Sequence, residues 1–281
     1  MPLRFDDDAE PDWLKLNQAN WEERLPLHLD SDLYDLTTLM AGMGNLHPIE
    51  EEELGPVDGL NILHLQCRFG FDSLSLAQRG AKVTGIDFDR GAIEKAASLA
   101  DELGLADRTT FLAGNVLEAD KILDAPASFD RVFVTWGTIC WLPDLKSWAQ
   151  VIAHFLKPGG WLYFADHHPI VSTFDDEFAT SPDMPTFFWP YFSENPLIDD
   201  AGEDYASGVQ LKNGDLHEWL HTTGDIVTAL LEAGLTIAML REHDGIPWKA
   251  YSCLVEGPDR LHRWPDKPWL PLAISIKAVR P

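Results

Sequence analysis

Ile62-Leu63-His64-Leu65 is an apolar run that breaks at Gln66-Cys67-Arg68-Phe69-Gly70, and a later run, Val83-Thr84-Gly85-Ile86, closes on Asp87. The pattern is a buried strand, a tight turn into a helix, and a second strand ending in a carboxylate. It constrains the chain strongly, because the turn lines a pocket with backbone groups while the acid stands beside it. A carboxylate at Asp87 can accept both hydroxyls of a ribose, as α/β proteins that hold an adenosine-type group require.

The surrounding texture extends this unit. Strand-like runs at 61–65, 82–86, 109–113, 131–135 and 160–165 alternate with helix-like runs at 71–79, 90–103, 116–123 and 144–156. Lys157-Pro158-Gly159-Gly160 reads as a turn into the fifth strand. A helix over 224–233, capped by Thr222 or Thr223, leads to a sixth strand at 235–240, and 270–279 is apolar enough for a last, buried strand. The expected fold is α/β: a Rossmann-like doubly wound sheet, mostly parallel with an antiparallel last strand. Residues 1–58, with helical patterning at 13–25, 33–40 and 48–54, read as an N-terminal helical cap on a core spanning 59–281. Two insertions, 167–221 and 243–269, leave the carboxyl edge of the sheet and are expected to form a lid over it.

Composition narrows the function. Forty-six acids against 21 bases give a net charge of −25, which disfavours a nucleic-acid partner. Three scattered cysteines exclude a disulfide framework and a Cys-x-x-Cys zinc site. No stretch is long and apolar enough to cross a bilayer and the N-terminus lacks the pattern of a secretory signal, so no membrane association and a cytoplasmic location are expected.

The strings Leu63-His64-Leu65-Gln66-Cys67-Arg68-Phe69-Gly70-Phe71-Asp72-Ser73-Leu74-Ser75-Leu76-Ala77, Val83-Thr84-Gly85-Ile86-Asp87-Phe88, Trp141-Leu142-Pro143-Asp144-Leu145 and Leu156-Lys157-Pro158-Gly159-Gly160 resemble the class I S-adenosylmethionine-dependent methyltransferases. In particular they resemble a largely uncharacterised bacterial branch with a variant first motif. The family places an acid where His64 stands and glycines where Gln66 and Arg68 stand; only Gly70 remains. The resemblance implies S-adenosylmethionine as cofactor and a small-molecule acceptor methylated on oxygen or nitrogen. It implies that Asp87 holds the ribose, that Phe88, Asn115 and Val116 lie at the adenine, and that Gln66, Cys67 and Gly70 face the methionine through their backbone. Thr135, Trp136 and Gly137 should lie beside the sulfonium, and Trp21 or Arg24 should close over the cofactor, Arg24 suiting its carboxylate. With His64 at the acid position, the receptor of the methionine ammonium stays open.

The adjacent pair His167-His168, before Pro169, falls at the end of the fifth strand, and His168 and His221 are the candidate general bases. Around them the insertions carry Phe174, Phe178, Phe187, Phe188, Trp189, Tyr191, Phe192, Trp219, Trp248 and Tyr251, which suit a flat or apolar small molecule or a mini-core. The interleaved acids, Asp175, Asp176, Glu177, Asp199, Asp200, Glu203 and Asp204, read as a solvated face. His217-Glu218-Trp219-Leu220-His221 matches a zinc-peptidase motif that needs a helix. Asn213-Gly214 just before it signals a hairpin pairing 207–211 with 216–220, and Thr222-Thr223-Gly224-Asp225 a helix start, so no metal is expected. The remaining alternatives are a non-catalytic sensor of S-adenosylmethionine or S-adenosylhomocysteine and a nucleotide-dependent oxidoreductase, the latter weakened by side chains crowding the turn. A monomer or a homodimer is compatible with all of these readings.

Overall fold

A computed structural model of the chain describes residues 12–31, 34, 36–42, 44, 46–175, 185–200 and 202–281, without the side chains of Asp175, Asp199 and Asp200. Phe178, Asp176 and Glu177 lie outside the described residues. The N-terminal part contributes α1 (Asp12–Leu29), α2 (Leu36–Met40) and α3 (Pro48–Glu53). The alternating core follows as β1 (Asn61–Leu65), α4 (Phe71–Gln78), β2 (Lys82–Asp87), α5 (Arg90–Glu102), β3 (Thr109–Ala113), α6 (Ala119–Ile122), β4 (Phe129–Thr135), α7 (Leu145–Phe155) and β5 (Leu156–His167). Four short strands come next, β6 (Phe174–Asp175), β7 (Thr186–Phe187), β8 (Leu197–Asp200) and β9 (Asp215–Glu218), then α8 (Thr223–Glu232) and β10 (Thr236–His243). The chain closes with β11 (Gly245–Ile246), β12 (Val255–Glu256), β13 (His262–Arg263) and β14 (Ala273–Val279).

Seven strands form the central sheet in the order β10-β14-β5-β4-β1-β2-β3. Pairings among β1 to β5 are parallel, and β14 runs antiparallel to both β5 and β10. The order in which strands are added to the sheet therefore reverses after β3, and the switch lies between β1 and β4. The two faces differ. Leu63, Leu65, Val132, Val134, Leu162 and Phe164 point toward α7 and α8, while Ile62, Val83, Phe133, Tyr163 and Ala165 point toward α4 and the segment before β1. This alternation is the period-two signature of strands buried on both sides.

Local chemistry accounts for the helix ends. Asp89 caps α5 by accepting from the Ala92 N–H at 3.0 Å, and Asp144 caps α7 through the Lys146 and Ser147 N–H groups. Thr222 and Asp225 cap α8 reciprocally. Two expectations change. Lys157-Pro158-Gly159-Gly160 lies within β5 as a bulge rather than before it: Phe129 faces Leu156 and Arg131 faces Trp161, so extra residues bow out, with Gly159 at φ +79°. The 207–211 segment is not the partner of β9, which pairs instead with β8.

Close packing at the sheet edge is tight at Gly85. A Cβ there would stand 2.7 Å from Cys67 Sγ and 2.8 Å from Phe111 Cδ1. Gly85→Ala is expected to cost about 1–3 kcal/mol of stability, as overpacking of a filled core does, and to lower Tm by several degrees in a thermal melt. An unchanged Tm would mean that the contact relaxes.

Candidate functional site

The carboxyl ends of β1, β2 and β4 meet at one rim, and the turn after β1 sets its shape. Gln66, Arg68 and Gly70 have φ of +57°, +49° and +80°. Glycines two apart would adopt these left-handed conformations freely, whereas Gln66 and Arg68 each hold theirs at a cost of roughly 1–2 kcal/mol. The turn is over-determined by hydrogen bonds. The Cys67 N–H donates to Ile86 O (3.1 Å), the Gly70 N–H to Cys67 O (2.9 Å), and Gln66 Nε2 to Thr138 O (2.7 Å). Gly70 also permits close approach, since a Cβ there would meet Ala96 Cβ at 2.8 Å.

Asp87 anchors the same turn. Its Oδ2 accepts from the Arg68 N–H at 2.8 Å and its Oδ1 from the Asp89 N–H at 3.0 Å. The residue is 7 % exposed, and burial pushes its carboxyl up to about 6 despite those two donors. Asp87 and the backbone of Gln66, Cys67 and Gly70 are thus brought together. Phe88 is half-buried beside them, its carbonyl accepting from Gln18 Nε2. Asn115 lies across at the end of β3, where its Oδ1 accepts from the Leu117 N–H and caps a short 3₁₀ turn beginning at Val116. One lone pair of that oxygen is engaged by the backbone, which leaves Asn115 a second lone pair and its amide nitrogen.

From β4, Thr135, Trp136 and Gly137 reach the rim, Trp136 and Gly137 both at positive φ (+52° and +67°). The Thr135 hydroxyl donates to Asp72 Oδ2 at 3.4 Å, and Trp136 Nε1 donates to Glu50 Oε1 at 2.6 Å. Glu50, on α3, is fully buried; burial and the neighbouring Asp72 hold its carboxyl well above the usual range. Burial raises Asp72 to about 6. Among the described residues neither acid has an ion-pair partner, and the guanidinium of Arg79 is committed to Glu51. His64 is occupied with Ser73 Oγ at 2.8 Å, and burial pushes its imidazole down to about 3.

Helix α1 covers the turn. The Arg68 guanidinium sits 4.0 Å from the Trp21 ring centroid, and its Nη2 donates to His28 Nδ1 at 2.9 Å. With Nδ1 accepting, His28 donates from Nε2 to Asp204, at 2.9 and 3.0 Å to its two oxygens. Arg24 lies 3.9 Å from the same carboxylate. Asp204 is wholly buried, which corrects its reading as a solvated acid: hydrophilic spacing in the sequence did not reveal the two cationic or hydrogen-bonding partners waiting on α1. Asn17 ties α1 to β9 through paired bonds with the His217 backbone (2.8 and 2.9 Å), and Asn20 donates to Asn213 O. Three buried polar atoms near the turn lack hydrogen-bond partners: Gln66 Oε1, Arg68 Nε and Arg24 Nη1.

A narrow neighbouring cleft opens between the ends of β4 and β5 and the 190–221 segment, lined by residues including Cys140, His167, Ser172, Tyr191, Trp219 and His221. His221 lies in this lining, with Nε2 donating to Leu142 O at 2.8 Å. His168 does not. Its Nδ1 accepts from the Ile170 N–H (3.1 Å) and its Nε2 faces Glu242 (3.1 Å), because successive strand residues point to opposite sides and His167 takes the cleft side. The His217–His221 motif is on a strand and the coil after it, not on a helix. Of the expected rim aromatics, Tyr191 and Trp219 reach the cleft. Phe174, Trp248 and Tyr251 pack into a separate cluster with Ile246, Leu254, Trp264 and Leu272, while Phe187, Phe188 and Phe192 are exposed.

Known proteins sharpen this picture. Residues 62–160 match a family model described as a methyltransferase domain. The matched stretch runs from β1 into the β5 bulge and so contains the turn, Asp87 and the β4 exit. The ubiquinone biosynthesis O-methyltransferase of Leptothrix cholodnii is 33% identical over 117 residues, covering 41% of this chain and 47% of that protein. The chain thus spans about half the length of the curated relatives it matches. In structure, a chain from Listeria monocytogenes described as a candidate S-adenosylmethionine-dependent methyltransferase superposes with a TM-score of 0.61 at 20% identity, over 86% of this chain and 98% of that one. The [4+2]-cyclase SpnF superposes at 0.55 and 15% identity, over 97% and 98%. The structural likenesses establish the Rossmann-like fold; the cyclase illustrates that this fold hosts more than one chemistry. Among the described residues no helix is long and apolar enough to cross a membrane.

Proposed function

We propose that this chain is an S-adenosylmethionine-dependent methyltransferase acting on a small molecule. The observation that carries this reading is the buried Asp87 carboxylate, held against the left-handed turn at the carboxyl edge of β1 and β2 inside the stretch that matches the methyltransferase domain. The residues fit the nucleoside. Asp87 would accept the ribose hydroxyls, and Phe88, Asn115 and Val116 would flank the adenine. The free donors on Arg68 and Arg24 suit the methionine carboxylate, and the unpartnered Gln66 Oε1 leaves an acceptor beside it. Glu50, fully buried, and Asp72, half-buried beside it, have no ion-pair partner among the described residues and suit the methionine ammonium in place of the acid that His64 displaces. Bound there, the nucleoside supplies a methyl group made electrophilic by its sulfonium.

The chain's own contribution is alignment and exclusion of water, which together account for roughly 7–11 kcal/mol of barrier reduction in well-oriented reactions. Helix α1 and the β8–β9 ribbon, tied by Asn17, Asn20 and the Asp204–His28–Arg68 chain, form a cover over the turn. We read residues 1–58 as the cap and the two insertions as its counterpart. The test is calorimetry with S-adenosylhomocysteine, then incubation of the purified protein with methyl-labelled S-adenosylmethionine and small-molecule extract. Micromolar binding and label in a small product are expected. Absence of binding overturns the reading; binding without transfer favours a sensor.

A further inference from the structure

Asp166, His167 and Ser172 form a continuous hydrogen-bonded row ending in the cleft. His167 Nδ1 lies 3.0 Å from Asp166 Oδ1, and His167 Nε2 lies 2.8 Å from Ser172 Oγ. Asp166 is fully buried and also accepts from the N–H groups of Gly137 (2.6 Å), Thr138 (3.0 Å) and His167 (2.7 Å), and from the Thr138 hydroxyl (3.3 Å). The neighbouring His167 imidazole, followed by these donors, holds its carboxyl below the usual range although burial opposes this. An ionised Asp166 fixes the Nδ1–H tautomer of His167, leaving the Nε2 lone pair to accept the Ser172 hydroxyl on the cleft side. The arrangement has the form of a nucleophile, a base and an orienting carboxylate.

It lacks the other half of a hydrolase. The N–H groups of Gly137 and Thr138 are spent on Asp166, and those of Val171 and Thr173 on the carbonyls of His168 and Ile170. These four donors are therefore not available to an oxyanion at Ser172. The base remains, and it sits where β5 ends beside the β4 exit.

Resting on the methyltransferase reading above, we propose that His167, positioned by Asp166, is the base of the reaction and that the acceptor is a phenolic hydroxyl compound whose O–H replaces that of Ser172 at Nε2. The acceptor's O–H bond gives its proton to Nε2 as its oxygen bonds to the methyl carbon, and the carbon–sulfur bond leaves its electron pair on sulfur. The products are a methyl ether, a thioether and a His167 imidazolium, which returns its proton to water. Ile139, Tyr191 and Trp219 supply flat and apolar walls for a ring. The pair Asp166–His167 raises the imidazole above its ordinary range, and the facing groups are Glu218, which raises it further, His168, Cys140 and His221. An imidazole base suits a phenol, whereas an acceptor without a proton to lose would need none.

The experiment uses the full chain with methyl-labelled S-adenosylmethionine and three probe acceptors: phenol, catechol and 3,4-dihydroxybenzoate. Methyl ether formation is expected from at least one, with His167→Gln lowering kcat on the order of 10²–10⁴-fold while S-adenosylhomocysteine affinity stays within about twofold by calorimetry. Asp166→Asn should move the acidic limb of the kcat profile to lower pH. In histidine-labelled nitrogen-15 spectra it should lower the His167 pKa and remove the Nδ1–H tautomer. A His167→Gln enzyme of wild-type kcat, an unmoved His167 titration in Asp166→Asn, or no ether from any phenol with the nucleoside bound would each overturn the proposal. Covalent labelling of Ser172 by a fluorophosphonate would replace it with a hydrolase. Loss of nucleoside binding by the wild-type chain would instead strike the underlying reading.

Discussion

Asp87→Asn is expected to weaken S-adenosylhomocysteine binding about 100-fold, measured by calorimetry at pH 7.5. The ionised carboxylate offers acceptors to both ribose hydroxyls, each charge-assisted bond being worth about 1.5–3 kcal/mol. The amide keeps one acceptor and no charge. It also keeps the fold, because one of the two backbone bonds that Asp87 makes, from Arg68 or from Asp89, can persist. The pH dependence separates binding from stability. Burial raises this carboxyl to about 6, so nucleoside affinity should fall as pH drops through about 6 and the group protonates. For stability the sign is opposite. A raised acid favours the fold fully below its ordinary pKa, and that contribution is lost as pH rises through about 6. The Tm of wild type minus that of Asp87→Asn should therefore decrease between about pH 4 and 6 without ligand. Equal affinities of variant and wild type would remove Asp87 from the site.

The central sheet was legible because strand and helix periods alternate cleanly from Asn61 onward, and because each turn carries Gly, Pro or a capping acid. Asp89, Asp144 and Thr222 cap the helices that follow them, as their types and places suggest. The β5 bulge was misread because Lys-Pro-Gly-Gly has turn chemistry, and only the register against β4 and the bonds to Arg280 keep it in the sheet. The Asn-Gly hairpin misled in the same way. Its turn signal is local, but the partner of β9 was chosen by α1 and β8, distant in sequence.

The candidate site divides along the same line. Asp87 and the turn after β1 lie within one βα unit, where local order suffices. Glu50, Asp72, Asp166 and Asp204 were not identified as site residues, since their significance comes from partners on other elements. Asp204 meets Arg24 and His28 from nearly two hundred residues away in sequence. His167 and His168 are adjacent, and the sequence reading took His168; the facing of β5 puts His167 on the cleft side instead and turns His168 toward Glu242.

Glu50 and Asp72 give the second large expected effect. Their carboxylates lie behind Trp136 and Thr135, Asp72 raises the cost of ionising Glu50, and among the described residues neither has an ion-pair partner. An acid pair in this condition gains a great deal from a ligand that brings a positive charge. S-adenosylhomocysteine carries an α-ammonium, whereas 5′-methylthioadenosine shares its adenine, ribose and thioether but has no amino-acid end. Wild type should thus bind the former far more tightly. Glu50→Gln and Asp72→Asn should each weaken S-adenosylhomocysteine by about tenfold or more, and by over 100-fold together, consistent with charge-assisted bonds of about 1.5–3 kcal/mol apiece. Binding of 5′-methylthioadenosine should change by less than about threefold. The comparison also isolates the acid pair from Asp87, whose ionisation both ligands require. As pH rises through about 6 the preference for the amino-acid form should grow, since Asp72 ionises there while the ribose contacts strengthen equally for both. If the variants lose both nucleosides in equal measure, Glu50 and Asp72 shape the turn rather than receive the ammonium.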